Sequence, residues 1–100
     1  MNQTELHEVV LQWAKERDLL HNKNSNKQML KLIEEVGELA SSMAKGKTTE
    51  TVDAIGDIQV VLIILSSQLG IDYNSALNHA YAVIKNRTGK TINGIFIKSE

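Results

Sequence analysis

Five carboxylates in two short stretches carry the chemistry this chain offers. Glu34, Glu35 and Glu38 lie in KLIEEVGELA (residues 31–40), and Asp53 and Asp57 in DAIGDIQVVLIIL (residues 53–65). At about 100° per residue of helix, Asp57 lies about 40° round from Asp53, so both project from one face. Val60, Val61 and Ile64 continue that face, so the pair stands where polar surface gives way to packed core. A carboxylate against a hydrocarbon wall loses solvation unless a cation or hydrogen bonds meet it. Glu34, Glu35 and Glu38 span about 100° of arc, with Glu35 nearest the apolar stripe beside Leu39 and Glu34 furthest out. If the two helices fold back on each other, Glu35 and Glu38, neighbours at i and i+3, face Asp57. Such an all-oxygen set suits a hard divalent cation such as Mg²⁺, and helical bundles are places where carboxylate clusters are built. Three acids on a helix otherwise form a solvated face; two clusters on consecutive helices favour the cation.

The elements that must position these acids are helical. Leu6, Val9, Val10 and Trp13 recur at helical spacing, which predicts a helix over about residues 4–20, with Trp13 read as core in preference to a stack on a nucleobase. HNKNSN (residues 21–26) is a polar loop, and Asn26 is the expected cap of a second helix over about residues 27–45. Met29, Leu32, Ile33, Val36, Leu39, Ala40 and Met43 make its apolar face, and Gly46 stops it. Thr48 or Thr49 is expected to cap a third helix running to Leu69 before Gly70. Asp72 opens a fourth, with Ala76, Leu77, Ala80, Ile84 and Tyr81 expected on its inner side. TINGIFIK then carries Ile92, Ile95 and Ile97 around an Asn-Gly pair, the signature of an extended tail or hairpin.

From Ile58 to Leu65 only Gln59 is polar. A helix apolar nearly all round is buried all round, either at the centre of a bundle or in an oligomer seam. The expected fold is therefore all-α: residues 1–100 as one four-helix, bundle-like subunit with a short C-terminal tail, assembled as a homodimer or homotetramer.

The totals narrow the classes. Hydrophobic residues at 42% and charged residues at 23% are the balance of a globular protein. A net charge of −1 argues against sequence-independent nucleic-acid binding, which needs a basic surface, and sets aside a DNA-binding or antitoxin role. No cysteine is present, which excludes thiolate metal sites and disulfides and fits a cytoplasmic protein. The longest apolar run, Val60 to Leu65, falls far short of the roughly 20 residues a membrane span needs, and the N-terminus has no signal-like core. His7, His21 and His79 have no transition-metal spacing.

KLIEEVGELA, followed after a short gap by GDIQVVLIIL (residues 56–65), resembles the all-α nucleotide pyrophosphohydrolases of the MazG type. That family's signature is Glu-x-x-Glu on one helix and Glu-x-x-Asp on the next. Glu35 and Glu38 match the first pair, with Glu34 as the additional acid before it, and Asp57 matches the final acid. The tail KNRTGKTINGIFIK (residues 85–98) is similar to small single-domain members, many of them phage-encoded. One position departs from the pattern: Ala54 stands where the family has an acid. Asp53, one residue earlier, is the obvious substitute but is rotated about 100° from it, so it is either a fourth ligand or a solvated bystander.

The resemblance implies Mg²⁺-dependent hydrolysis between the α- and β-phosphates of an NTP or dNTP, with Mn²⁺ as a substitute ion. Glu35, Glu38, Asp57 and Asp53 would hold the metal, and Glu34, Glu35 and Glu38 are the catalytic acids, Glu34 orienting or deprotonating the attacking water. Lys85, Asn86, Arg87 and Lys90 sit where the family places phosphate-contacting side chains. Lys31, one turn before Glu35, is either a further substrate contact or an i, i+4 ion pair. Ala54 supports the alternative, a catalytically weak nucleotide-binding or protein-interaction module of the same fold.

Overall fold

The computed structural model describes residues 1–100 and is an all-α bundle with a terminal hairpin. Its elements are α1 (Gln3–Glu16), α2 (Ser25–Ala44), α3 (Thr48–Gln68), α4 (Tyr73–Ile84), β1 (Gly89–Ile92) and β2 (Ile95–Lys98). A single 3₁₀ turn, Asn22–Asn24, leads into α2.

Three helices end the same way. After α1, α2 and α3 the chain turns through a left-handed residue, Asp18 (φ 59°), Gly46 (φ 66°) and Gly70 (φ 71°). In each case the next residue's N–H reaches back five positions: Leu19 to Ala14, Lys47 to Ser42 and Ile71 to Ser66. This Schellman closure satisfies carbonyls that the helix leaves open. It also shortens α1, which stops at Glu16 and not at Leu20. With aspartate in the position glycine usually takes, the stop carries no glycine signal.

The caps differ from expectation in two places. Asn26 lies inside α2, whose N-cap is Asn24 without a side-chain bond, because the 3₁₀ turn already occupies the backbone there. Thr48 and Thr49 lie inside α3, whose N-cap is Lys47, again without a side-chain bond. Asp72 does cap α4, accepting from the Ser75 N–H and Oγ at 2.8 Å each. Those bonds hold its carboxyl below the ordinary value.

α2 and α3 form a helical hairpin through the three-residue turn 45–47, and this pair is the largest packing contact in the molecule. α1 lies against α3, and the 3₁₀ turn seals one end of the pair. The buried residues, Ala14, Glu35, Ser42, Ala54, Val61, Ile63, Ile64 and Gln68, all belong to these three helices. Within α2 the side facing α3 runs through Gln28, Leu32, Glu35, Leu39 and Ser42, at spacings of three and four. The neighbouring stripe, Met29, Ile33, Val36, Ala40 and Met43, is exposed.

The fourth helix departs most from expectation. α4 leaves α3 at a bend of 103° and packs mainly on that helix, with Tyr73 at its start also meeting the His7 ring of α1, and Ala76, Leu77, Ala80, Tyr81 and Ile84 are all exposed and do not face inward. The hairpin packs on no helix. Its turn, Asn93 (φ 51°) and Gly94 (φ 78°), has the left-handed pair that a two-residue hairpin requires. Gly89 leaves room for the Phe96 ring across the ladder, where a Cβ would lie 2.7 Å from it. The radius of gyration is 16.1 Å, against about 13 Å for a compact chain of this length. No single helix is long and apolar enough to cross a membrane.

Candidate functional site

The acids gather where α2 and α3 face each other. Glu34, Glu35 and Glu38 bring one carboxylate oxygen each within 4.8 Å of one another, a grouping that can hold a metal ion. Glu35 sits on the seam between the helices and is only 5% exposed, whereas Glu34 and Glu38 stand outside it. Asp57 and Asp53 come from α3. Both line a polar cleft of about 370 Å³ together with Glu38, Ser42 and Ala54. Asp57 also borders, with Glu35, a second and larger cavity of about 660 Å³. Asp57 thus stands between two openings, one holding Glu38 and the other Glu35.

The electrostatics are those of crowded like charge. The negative charge of the Glu35 carboxylate beside it pushes the Glu38 carboxyl above its ordinary value of 4.5. Lys31 supplies the local positive charge. Its Nζ lies 3.2 Å from Glu35 Oε1 and 3.5 Å from Glu34 Oε1, and these two acids hold the ammonium above the usual 10.5. The i, i+4 ion pair expected from the spacing is present, and Lys31 also lines the larger cavity. Glu35 Oε2 is buried and accepts no hydrogen bond. A buried carboxylate oxygen without a partner costs folding free energy. An all-oxygen donor set with one such oxygen fits a hard cation.

Ala54 is 4% exposed and forms part of the polar cleft's wall among Glu38, Asp53 and Asp57. Asp53 lines that same cleft and is not on an unrelated face.

The basic candidates are elsewhere. Lys85, Asn86, Arg87 and Lys90 follow the end of α4 opposite to Tyr73, where α4 meets α1, or belong to the hairpin. Within one chain they are not brought to the acids. Lys85 and Arg87 border an apolar hollow with Tyr81, Ile84 and Phe96.

The larger cavity also takes residues to which the sequence reading gave no site role, Lys27, Gln28, Trp13 and Gln68 among them. Trp13 is not core: it is 46% exposed and lines the cavity, with the Arg17 guanidinium 4.4 Å from its ring centroid. Gln68 is 4% exposed and lines the same cavity. It stands eleven residues after Asp57, about 20° round the helix, so extending the Asp57, Val60, Val61, Ile64 face by one further turn reaches it.

Comparison with known proteins shows the family. Residues 23–91 match the model of the MazG nucleotide pyrophosphohydrolase domain, a span that holds all five acids and the basic candidates. The chain is also 48% identical over 61 residues to an uncharacterized 18.2 kDa protein in the rep-hol intergenic region of Haemophilus phage HP1 (strain HP1c1). That alignment covers 61% of this chain and 37% of the phage protein, so the chain spans little more than a third of its relative. No solved structure gives a significant match. With more than half its length matched, and the acids inside the match, the chain belongs to the MazG nucleotide pyrophosphohydrolase domain family.

Proposed function

We propose that this protein is a Mg²⁺-dependent nucleoside triphosphate pyrophosphohydrolase that releases pyrophosphate and leaves the nucleoside monophosphate. The observation that carries the reading is the paired cleft. Glu35 and Glu38 on α2 stand opposite Asp57 and Asp53 on α3, within the span that matches the family. Bound there, a divalent cation would neutralise phosphate charge and make a coordinated water acidic enough to attack. Glu35, Glu38, Asp57 and Asp53 would hold it, with Mn²⁺ an acceptable substitute. Glu34, on the solvent side of the cluster, would orient that water and accept its proton. Lys31, which lines the larger cavity beside Glu35, would meet a phosphate oxygen.

The active form in this reading is a homo-oligomer, dimer or tetramer. Its support is the exposed stripe Ile33, Val36 and Met43 on α2, the outward α4 with Leu77, Tyr81 and Ile84, and a chain too extended for its length. A second copy covering these faces would also bring the Lys85, Arg87 and Lys90 of one subunit toward the acids of another. There they would grip the phosphates.

The test is hydrolysis of all NTPs and dNTPs by purified protein with Mg²⁺, separating pyrophosphate from orthophosphate, with Glu38→Gln run beside it. Pyrophosphate release that the variant loses is the expected result. No turnover with either Mg²⁺ or Mn²⁺ would favour a binding module of the same fold, for which the missing acid at Ala54 is the specific support.

A further inference from the structure

We infer that the larger cavity is a nucleobase pocket in which the Gln68 amide carbonyl reads an N–H donor on the Watson–Crick edge of the base, against the Trp13 indole. The inference rests on the nucleotide reading above and adds to it the group that recognises the base.

The cavity is graded along its length. Lys31, Glu35 and Asp57 stand at one end, Val60, Val61 and Ile64 form an apolar wall, and Gln68 closes the other end. From Asp57 to Gln68 the α3 axis advances roughly 16 Å, comparable with an extended nucleotide. Lys27 and Gln28 of α2 also line the cavity, and the carboxylates proposed to serve the phosphates stand at the Asp57 end, which leaves the base toward Gln68.

Gln68 is an unusual residue to bury. Its Nε2 donates to the Leu19 carbonyl at 2.7 Å, tying the end of α3 to the segment after α1. Its Oε1 is buried and accepts nothing. Flipping the amide would set Oε1 against the Leu19 oxygen, so the bond fixes which atom is the unspent one. An unpaired buried acceptor costs stability and is expected where a ligand supplies the missing donor. The broad terminal torsion of a glutamine lets the amide swing slightly toward it while Nε2 keeps its bond to Leu19. Trp13 lines the same cavity: the Arg17 guanidinium lies over its ring, and Arg17 Nη1 donates to the Trp13 carbonyl at 3.0 Å. A site built to hydrogen-bond a donor rejects an analogue that lacks it, because its own polar group is then stranded.

Trp13 is the only tryptophan, so its fluorescence reports the pocket without metal or turnover. The experiment titrates wild-type protein with AMP, CMP, GMP and UMP, then with the counterpart of the tightest binder whose Watson–Crick N–H donors are removed or methylated. The expected result is saturable quenching, with a Kd about tenfold or more weaker for the donorless counterpart. In Gln68→Met the two should bind alike. No quenching at millimolar monophosphate, or equal affinity of wild type for the two nucleotides, overturns the inference. The wild-type comparison stands even if the variant does not fold. Hydrolysis failing while the titration succeeds would remove the hydrolase reading and leave the pocket; the reverse would remove the pocket alone.

Discussion

Glu35→Gln should make the metal-free protein more stable while abolishing its activity. Glu35 is 95% buried as a residue, yet only one of its oxygens has a partner. That partner, Lys31, is about half exposed, so solvent screens the pair and it contributes little. The other oxygen carries the cost of a buried, unsatisfied charged acceptor, at least about 1–3 kcal/mol. Glutamine keeps the size, removes the charge and relieves the repulsion toward Glu38. Replacing an uncompensated buried charge by a neutral isostere should therefore gain about 1 kcal/mol. For a chain of this length that is a Tm rise of about 4–8 °C, read by circular dichroism in EDTA at matched protein concentration. With Mg²⁺ added, the wild type should gain Tm and the variant should not. Pyrophosphate release should fall by about 10²–10³, the scale of losing one preorganised charge contact at a reacting phosphate. A Tm that drops in EDTA would refute the reasoning, because Glu35 would then be a structural ion-pair residue whose charge the fold needs without a cation.

Three further outcomes are expected. Because Glu35 raises the Glu38 carboxyl above 4.5, the folded state holds that proton more tightly than the unfolded chain. Metal-free stability should thus fall as pH rises from the ordinary value through the raised one, and Mg²⁺ should add stability only above it. The Mg²⁺-induced Tm gain should vanish on acidification at a pH above 4.5, and Glu35→Gln should remove the residual apo slope. Ala54→Glu, placing a fourth acid in the cleft beside Glu38, Asp53 and Asp57, should lower the Mg²⁺ concentration for half-maximal stabilisation by about tenfold, whereas Asp53→Asn should raise it. Isothermal titration or Tm against Mg²⁺ reads both, and no change in either variant would place the ion outside this cleft. Val36→Glu, in the middle of the exposed α2 stripe, should convert the proposed homo-oligomer to a monomer by light scattering at micromolar concentration; a mass unchanged from that of the wild type would overturn this interface.

What the sequence determined by itself was the helical periodicity, the hairpin at Asn93-Gly94, the cap at Asp72 and the common face of Asp53, Asp57, Val60, Val61 and Ile64. These are local or single-helix properties, set by the 3.6-residue repeat and by turn chemistry, and they are legible one element at a time. The same periodicity separated Glu35 from Glu34 correctly, one on the seam and one outside it. It failed at the end of α1, where Asp18 takes a left-handed conformation with no glycine to announce it. Only the tertiary structure decided which apolar stripe is covered. On α2 the side through Leu32 and Leu39 meets α3, and the equally apolar stripe through Ile33 and Val36 meets nothing in the same chain. α4 was read as a core helix because amphipathicity says that a face must be buried but not against what. Trp13 and Gln68 became pocket residues for the same reason. Burial and an unpaired oxygen are properties of neighbours brought together from distant parts of the chain, and no spacing within one helix encodes them.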